Sequence, residues 1–162
     1  MSIIMLGIGD IGVSSTAGDS IKTLALGSCI ALVLLHSPTR SIGMVHVAMP
    51  DSSINKDTAL VKPGYFVDTG VKVLLERMMR QTGAHSRTGF IVKMIGGAQV
   101  LAQDTTFNIG RRNELAIKKM LWDQGMGVHA EDVGGYKSRN VTAEVDTGRV
   151  IISSAGRGSW EL

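Results

Sequence analysis

The chain has 162 residues with a formal net charge of +3, and 44% of the residues are apolar. This length suits one domain with a sizeable buried core, and the apolar fraction excludes a disordered chain. The 17 basic and 14 acidic residues are spread along the sequence without a long basic run, which argues against nucleic-acid binding. We therefore predict one globular domain over residues 1–162.

Two features concern the compartment in which the protein works. The longest apolar run, residues 24–35, is shorter than the roughly 20 residues that span a bilayer. Residues 1–9 lack the basic segment that begins a signal peptide. We predict a cytoplasmic protein with no membrane insertion. The single cysteine, Cys29, cannot form an internal disulfide, so its thiol is available for chemistry.

Short apolar or β-branched segments bounded by turn residues predict most of the secondary structure. In chain order they are 3–8, 29–36, 41–49, 90–95, 128–133, 140–145 and 149–153. The last two are joined by residues 146–148, a connection of hairpin length. Many short strands with few helices predict an α+β fold in which antiparallel sheet dominates.

Helical periodicity occurs in two segments, 66–83 and 110–125. In the first, we expect Asp68 to cap the helix and Gly83 to end it. Its apolar residues follow the i, i+3, i+4, i+7 spacing of an amphipathic helix: Val71, Leu74, Leu75 and Met78. The second helix has a narrower apolar stripe and a basic outer surface. The stripe is Leu115, Met120 and Leu121, and the basic residues are Arg111, Arg112, Lys118 and Lys119.

The strands 29–36 and 41–49 are separated by residues 37–40, in which Pro38 suits the second position of a type I turn. This spacing predicts a hairpin with a four-residue loop in which His36 pairs with Ser41.

That register determines which side chains meet on the hairpin. Ala31 would face His46, and Cys29 would share the face of Ala31 because side chains alternate along a strand. Cys29 and His46 would then be diagonal neighbours, with Cβ atoms about 7 to 8 Å apart or a little less. A slip of one residue would place the two on opposite faces.

A thiol beside an imidazole suggests a nucleophile, because the imidazole raises the small thiolate fraction that a free cysteine has at neutral pH. Gly27 and Ser28 precede the cysteine, and a glycine there permits a strained turn and close approach of a substrate carbonyl. The alternative is a buried small cysteine and a hydrogen-bonded core histidine. Spacing alone leaves both interpretations open.

Six sequence segments, in order, resemble the CheD family of chemotaxis proteins over roughly residues 5–153. They are TLALGSC at 23–29, GMVH at 43–46 with MP at 49–50, YFVDTG at 65–70, KMIGGA at 93–98, FNIGRRN at 107–113 and AEDVGG at 130–135. The tail, residues 155–162, has no counterpart that we can place in the family pattern.

The resemblance implies a β-sandwich flanked by helices, related to the catalytic domain of deamidating bacterial toxins. It also implies hydrolysis of selected glutamine side-chain amides on methyl-accepting chemoreceptors to glutamate. In this resemblance Cys29 is the nucleophile, His46 the general acid and base, and Thr23 the residue that orients His46. Backbone groups around Gly27 and Ser28 are the nearest candidates for stabilising the oxyanion.

The resemblance implies two kinds of partner, the cytoplasmic helices of chemoreceptors and a CheC-type phosphatase. Phe107 is a candidate contact for substrate or partner, and a place in the core is an equal alternative. We predict no cofactor and no metal, since no group of histidines and carboxylates has ligand spacing. Two alternative functions stay open: a regulatory module that acts with the phosphatase, and hydrolysis of glutamate methyl esters by the same pair.

Overall fold

Two five-stranded sheets account for the strands in the computed structural model, which describes residues 1–101 and 107–162. The outer sheet has the order β1-β3-β8-β9-β10, with β1 at Ile3–Leu6, β3 at Ser20–Leu26, β8 at Arg139–Glu144, β9 at Val150–Ser154 and β10 at Gly158–Glu161. The central sheet has the order β2-β5-β4-β6-β7, with β2 at Ile11–Ser14, β5 at Ser41–Val47, β4 at Ile30–His36, β6 at Phe90–Gly96 and β7 at Ala130–Val133.

Most neighbouring strands are antiparallel, and the parallel pairs in the described part of the chain are β1 with β3 and β6 with β7. Three helices complete the fold there: α1 at Lys56–Val61, α2 at Val67–Thr82 and α3 at Ile109–Asp123. The predicted α+β sandwich of mostly antiparallel strands is confirmed.

The central sheet is covered on both faces, which explains why every residue of β4 and β5 is buried. Along β4, Leu32 and Leu34 pack with α2 and α3 in one core. Ala31 and Val33 point the other way and pack with the outer sheet in a second core. Alternation along a strand thus divides the chain into three layers: outer sheet, central sheet and helices.

Helix α2 confirms the predicted apolar face, because all four residues of the i, i+3, i+4, i+7 set are buried. Gly83 ends the helix in the left-handed conformation, as predicted. The predicted cap was wrong: the N-cap residue is Phe66, which makes no side-chain cap bond. Asp68 lies inside the first turn instead and accepts hydrogen bonds from the Ser52 amide at 3.0 Å and the Ser52 hydroxyl at 2.6 Å.

Helix α3 begins near the predicted residue, and two residues of the predicted stripe face the core: Leu121 is buried and Met120 is partly buried against it. Leu115, which we expected in the apolar stripe, is 50% exposed. The buried line is instead Gly110, Asn113, Ile117 and Leu121. Two members of this line carry no large apolar side chain, because the first turns of α3 approach backbone rather than a hydrophobic surface. That is why apolar periodicity misplaced the stripe.

Three strands were missed, namely β2, β3 and β10. In β3 the burial alternation is interrupted after Thr23 by a shift of register against β8, and Ala25 there has a left-handed φ of 57°. A β-bulge of this kind hides the period-2 pattern. Strand β10 lies in the tail that had no counterpart in the family pattern, and it pairs with β9 at the edge of the outer sheet. Among the described residues, no helix is long and apolar enough to cross a membrane.

Candidate active site

The two sheets bring three of the predicted site residues to one end of the sandwich. Thr23 lies on β3 of the outer sheet, His46 on β5 of the central sheet, and Cys29 immediately before β4. The predicted hairpin register is confirmed, since His36 pairs with Ser41 and Ala31 with His46. Cys29 is partly buried against the core between the sheets, which is also where Ala31 packs. The thiol therefore lies on the inter-sheet side, next to the strand that carries the imidazole.

Thr23 and His46 are joined across the two sheets by a buried hydrogen bond of 2.7 Å between Thr23 Oγ1 and His46 Nδ1. The same hydroxyl donates to the Leu6 carbonyl at 2.8 Å, which uses its only proton. Thr23 must therefore accept from Nδ1–H of the imidazole. The neutral ring then carries its lone pair on Nε2, which is the tautomer that a general base requires.

His46 is only 2% exposed, and its Nε2 has no hydrogen-bond partner among the described residues. Burial lowers the pKa of His46 from 6.5 to about 4, because the charged form loses solvation. The carboxylate of Asp10 opposes this by raising the pKa. The imidazole is therefore neutral at physiological pH and has a free basic nitrogen.

The Cys29 thiol is also neutral. Burial raises its pKa above the ordinary value of 9.0, and its own backbone amide offsets this only in part. The expectation that the neighbouring imidazole raises the thiolate fraction was wrong for the resting protein, because the low pKa of His46 leaves no imidazolium to stabilise a thiolate. In the resting protein both side chains are therefore neutral and form no ion pair.

Residues 27–29 are here called the nucleophile loop, after the role predicted for Cys29, and each of their three carbonyl groups accepts a hydrogen bond. Gly27 O accepts from the Ala98 amide at 2.8 Å and Cys29 O from the Gly97 amide at 2.9 Å. Ser28 O accepts from Asn113 Nδ2 at 3.1 Å. The loop is thus fixed from the side of β6 and α3. Gly27 does not have a positive φ, and the nearby residue with a left-handed backbone is Ala25, in the bulge of β3.

Close backbone approach explains the glycines at the end of β6. Gly96 has a φ of 119°, and a Cβ there would lie 2.3 Å from the Cys29 carbonyl oxygen. A Cβ at Gly110 would lie 2.4 Å from the Gly97 carbonyl oxygen. Glycine at positions 96, 97 and 110 therefore allows the nucleophile loop and α3 to approach the end of β6.

Sequence reasoning gave no site role to two residues that support this site. Asn113 bridges the nucleophile loop and the end of β5, and the only signal for it was its place in the FNIGRRN segment. Asp10 lies in the turn between β1 and β2, where its carbonyl accepts from the His46 amide at 3.2 Å. Its side chain pairs with Lys62 at 3.2 Å. Nothing in the local sequence pattern indicates that this turn reaches β5.

Phe107 stands apart from this buried cluster. It lies just before α3 and is 68% exposed, so the core alternative for it was wrong. An exposed aromatic ring of this kind is available to a binding partner.

Comparison with known proteins gives a consistent result. Residues 48–154 match the family model described as CheD chemotactic sensory transduction. The chain is 52% identical over 163 aligned residues to a probable chemoreceptor glutamine deamidase CheD of Syntrophotalea carbinolica, covering 100% of both chains. It is 38% identical to the chemoreceptor glutamine deamidase CheD of Thermotoga maritima, covering 95% of this chain and 93% of that protein. The family model begins after Thr23, Cys29 and His46, whereas the alignment to the first relative includes them.

Proposed function

This chain belongs to the CheD family, and we propose that it hydrolyses the side-chain amides of glutamines on chemoreceptors to glutamate. The single observation that carries this proposal is the Thr23–His46 hydrogen bond, which leaves a basic Nε2 on the same inter-sheet side as the Cys29 thiol. The names of the relatives support the substrate class, since they describe chemoreceptor glutamine deamidases.

The first half of the reaction would use the two neutral groups of the resting site. Cys29 Sγ attacks the carboxamide carbon while its proton passes to His46 Nε2. The imidazolium then gives this proton to the amide nitrogen as the carbon–nitrogen bond breaks. Ammonia leaves, and the glutamyl group remains on sulfur as a thioester.

The negative charge that develops on the amide oxygen needs donors already in place. The peptide bonds of the described chain are trans, so each N–H points away from the carbonyl of the preceding residue. Because the carbonyls of Gly27 and Ser28 are bound toward β6 and α3, the amides of Ser28 and Cys29 face the opposite side. We assign these two amides as oxyanion donors.

The second half of the reaction would reuse the imidazole. His46 Nε2 takes a proton from water, the hydroxide attacks the thioester carbon, and the proton returns to Cys29 Sγ as glutamate is released. Thr23 maintains the ring tautomer throughout by accepting from Nδ1–H. As a neutral residue it stabilises the imidazolium less than a carboxylate would, so modest turnover is expected.

We propose that the substrate is a helical segment of the receptor. Phe107, which is exposed, is the proposed contact for this segment or for a CheC-type phosphatase. A purely regulatory role with that phosphatase is the alternative function. The buried Thr23–His46 pair favours catalysis, because a binding module has no need for an oriented basic nitrogen at the core.

The test is mass spectrometry of a receptor cytoplasmic fragment after incubation with the protein, following conversion of glutamine to glutamate at each site. A parallel fragment carrying glutamate methyl esters measures ester hydrolysis. Cys29→Ser and His46→Gln serve as variants with side chains of similar size.

Conversion of amides by the unmodified protein, lost in both variants, is the expected result. Conversion that persists in Cys29→Ser would exclude the thiol mechanism. Absence of conversion on several receptor fragments, together with retained binding to a CheC-type phosphatase, would favour the regulatory alternative. Hydrolysis of esters without amides would change the reaction assigned to the same pair.

A further inference from the structure

Asn113 is a fully buried polar residue on the inner face of α3, with an exposed fraction of 0%. Its Nδ2 donates to Ser28 O at 3.1 Å and to Ala48 O at 3.0 Å. The two acceptors are 85 and 65 residues away in the chain. Both hydrogens of one amide nitrogen are therefore used on two distant backbone segments.

Those two segments carry the reacting groups. Ser28 immediately precedes Cys29, and Ala48 follows His46 by two residues at the end of β5. A single side chain thus connects the loop that holds the thiol with the strand that holds the imidazole. The other two carbonyls of the nucleophile loop are held by the backbone amides of Gly97 and Ala98, directly after β6. Ser28 O is the carbonyl of this loop that is held by a side chain.

The side-chain oxygen of Asn113 indicates that the nitrogen is the functional end of this amide. Asn113 Oδ1 is buried and accepts no hydrogen bond from the described residues. A buried acceptor without a donor is unfavourable, so the side chain is not optimal for stability alone. Its value lies in the two hydrogen bonds that it donates.

From this geometry we propose that Asn113 is a positioning residue for the deamidation reaction. By holding Ser28 O toward α3, it directs the Cys29 amide toward the oxyanion, because the two groups belong to one planar trans peptide. By holding Ala48 O, it keeps the end of β5 at a constant distance from that amide. This inference rests on the proposed function, since it assigns a support for the same site.

The test compares Asn113→Leu with the unmodified protein in the receptor-fragment assay, measuring kcat and KM separately. Leucine has a similar size but no donor, so we expect kcat to fall about 10²-fold, which is the typical loss for one oxyanion donor. KM should change by less than about threefold, because substrate binding does not depend on the oxyanion. The matched control is Ile117→Val. Ile117 is buried on the same face of α3, but its side chain has no donor for the carbonyls of Ser28 and Ala48.

A second measurement separates oxyanion support from misplacement of the thiol. Alkylation of Cys29 by iodoacetamide is a displacement at carbon that forms no oxyanion, so its rate should stay within about threefold of the parent rate in Asn113→Leu. Asn113→Asp provides a second variant, should Asn113→Leu not fold. Its ionised form has no donor, so it should show the same loss of kcat above the carboxyl pKa and partial recovery where the protonated carboxyl can donate.

A kcat for a folded Asn113 variant within about threefold of the parent would overturn the proposal, since one lost oxyanion donor costs far more. An equal loss of kcat and alkylation rate would also overturn it, because the residue would then only hold the thiol. If the unmodified protein converts no glutamine, both this inference and the proposed function fall. If Cys29→Ser keeps its activity, the proposed thiol mechanism fails, whatever kcat the Asn113 variants have.

Discussion

Thr23 Oγ1 lies 2.7 Å from His46 Nδ1 and at the same time donates to the Leu6 carbonyl at 2.8 Å. The hydrogen bond between Thr23 and His46 crosses the interface between the two sheets. Because the hydroxyl proton is used on the Leu6 carbonyl, Thr23 accepts from the ring. A β-strand that the sequence pattern did not reveal therefore determines the tautomer of the proposed base.

Replacing Thr23 by valine removes the acceptor while keeping the branched shape. The imidazole would lose its fixed tautomer, so kcat should fall by about 10- to 10²-fold, less than the roughly 10⁴-fold loss for the charged orienting residue of a serine triad. Thr23→Ser keeps the hydroxyl and should stay within a few-fold of the parent. Steady-state kinetics on a receptor fragment checks both. Equal activity of the valine and serine variants would contradict the orienting role.

The pH dependence of stability should report the burial of His46. Its pKa is about 4 in the folded protein and 6.5 when unperturbed, so only the unfolded chain gains a proton between these values. The stability that the neutral ring contributes is therefore fully present above the unperturbed pKa of 6.5, and it is lost as the pH falls toward the folded-state pKa of about 4. Between about pH 7 and pH 5 the loss should be roughly 2 kcal/mol.

Urea unfolding at the two pH values measures this loss. In His46→Gln the loss of stability between pH 7 and pH 5 should be smaller than in the parent by about 2 kcal/mol. In His85→Gln, a change at an exposed position, the loss should equal that of the parent. A decrease that is the same in all three proteins would show that other groups account for it.

The reactivity of Cys29 should increase steadily with pH. Because burial raises its pKa above 9.0, the thiolate fraction, and with it the alkylation rate, should rise about tenfold per pH unit between roughly pH 6 and pH 8. Iodoacetamide kinetics followed by mass spectrometry measures this directly, since the chain has one cysteine. A plateau near neutral pH would instead indicate a preformed thiolate–imidazolium pair.

Gly96→Ala should disrupt the nucleophile loop. The added Cβ would meet the Cys29 carbonyl oxygen at 2.3 Å on a backbone with φ of 119°. We expect a loss of roughly 3 kcal/mol or more in the free energy of unfolding, together with loss of activity. Denaturant unfolding measures the change.

The matched control is Gly148→Ala, where φ is 69° and a Cβ would have no neighbour within 4 Å. It should cost only the left-handed backbone penalty of about 1 to 2 kcal/mol and keep its activity. Similar losses of unfolding free energy in the two variants would mean that contact with the Cys29 carbonyl oxygen does not contribute to the effect of Gly96→Ala.

Much of the central layer was predictable from the sequence because its signals are local. The spacing of β4 and β5 and the loop at residues 37–40 were enough to predict that His36 pairs with Ser41 and Ala31 with His46. The apolar face of α2 was equally clear, since burial of one helix face imposes its period on the chain.

What the tertiary structure alone decided depends on contacts between distant segments. The bulge at Ala25 hid β3, and backbone approach at Gly110 shifted the first turns of α3 away from the expected apolar stripe. The low pKa of His46 and the raised pKa of the Cys29 thiol follow from burial between sheets, which no local pattern records. The sequence by itself determined which residue types could react, because side-chain chemistry is local. The tautomer, the protonation states and the Asn113 bridge required the packed layers, because hydrogen bonding and desolvation depend on neighbours that only folding supplies.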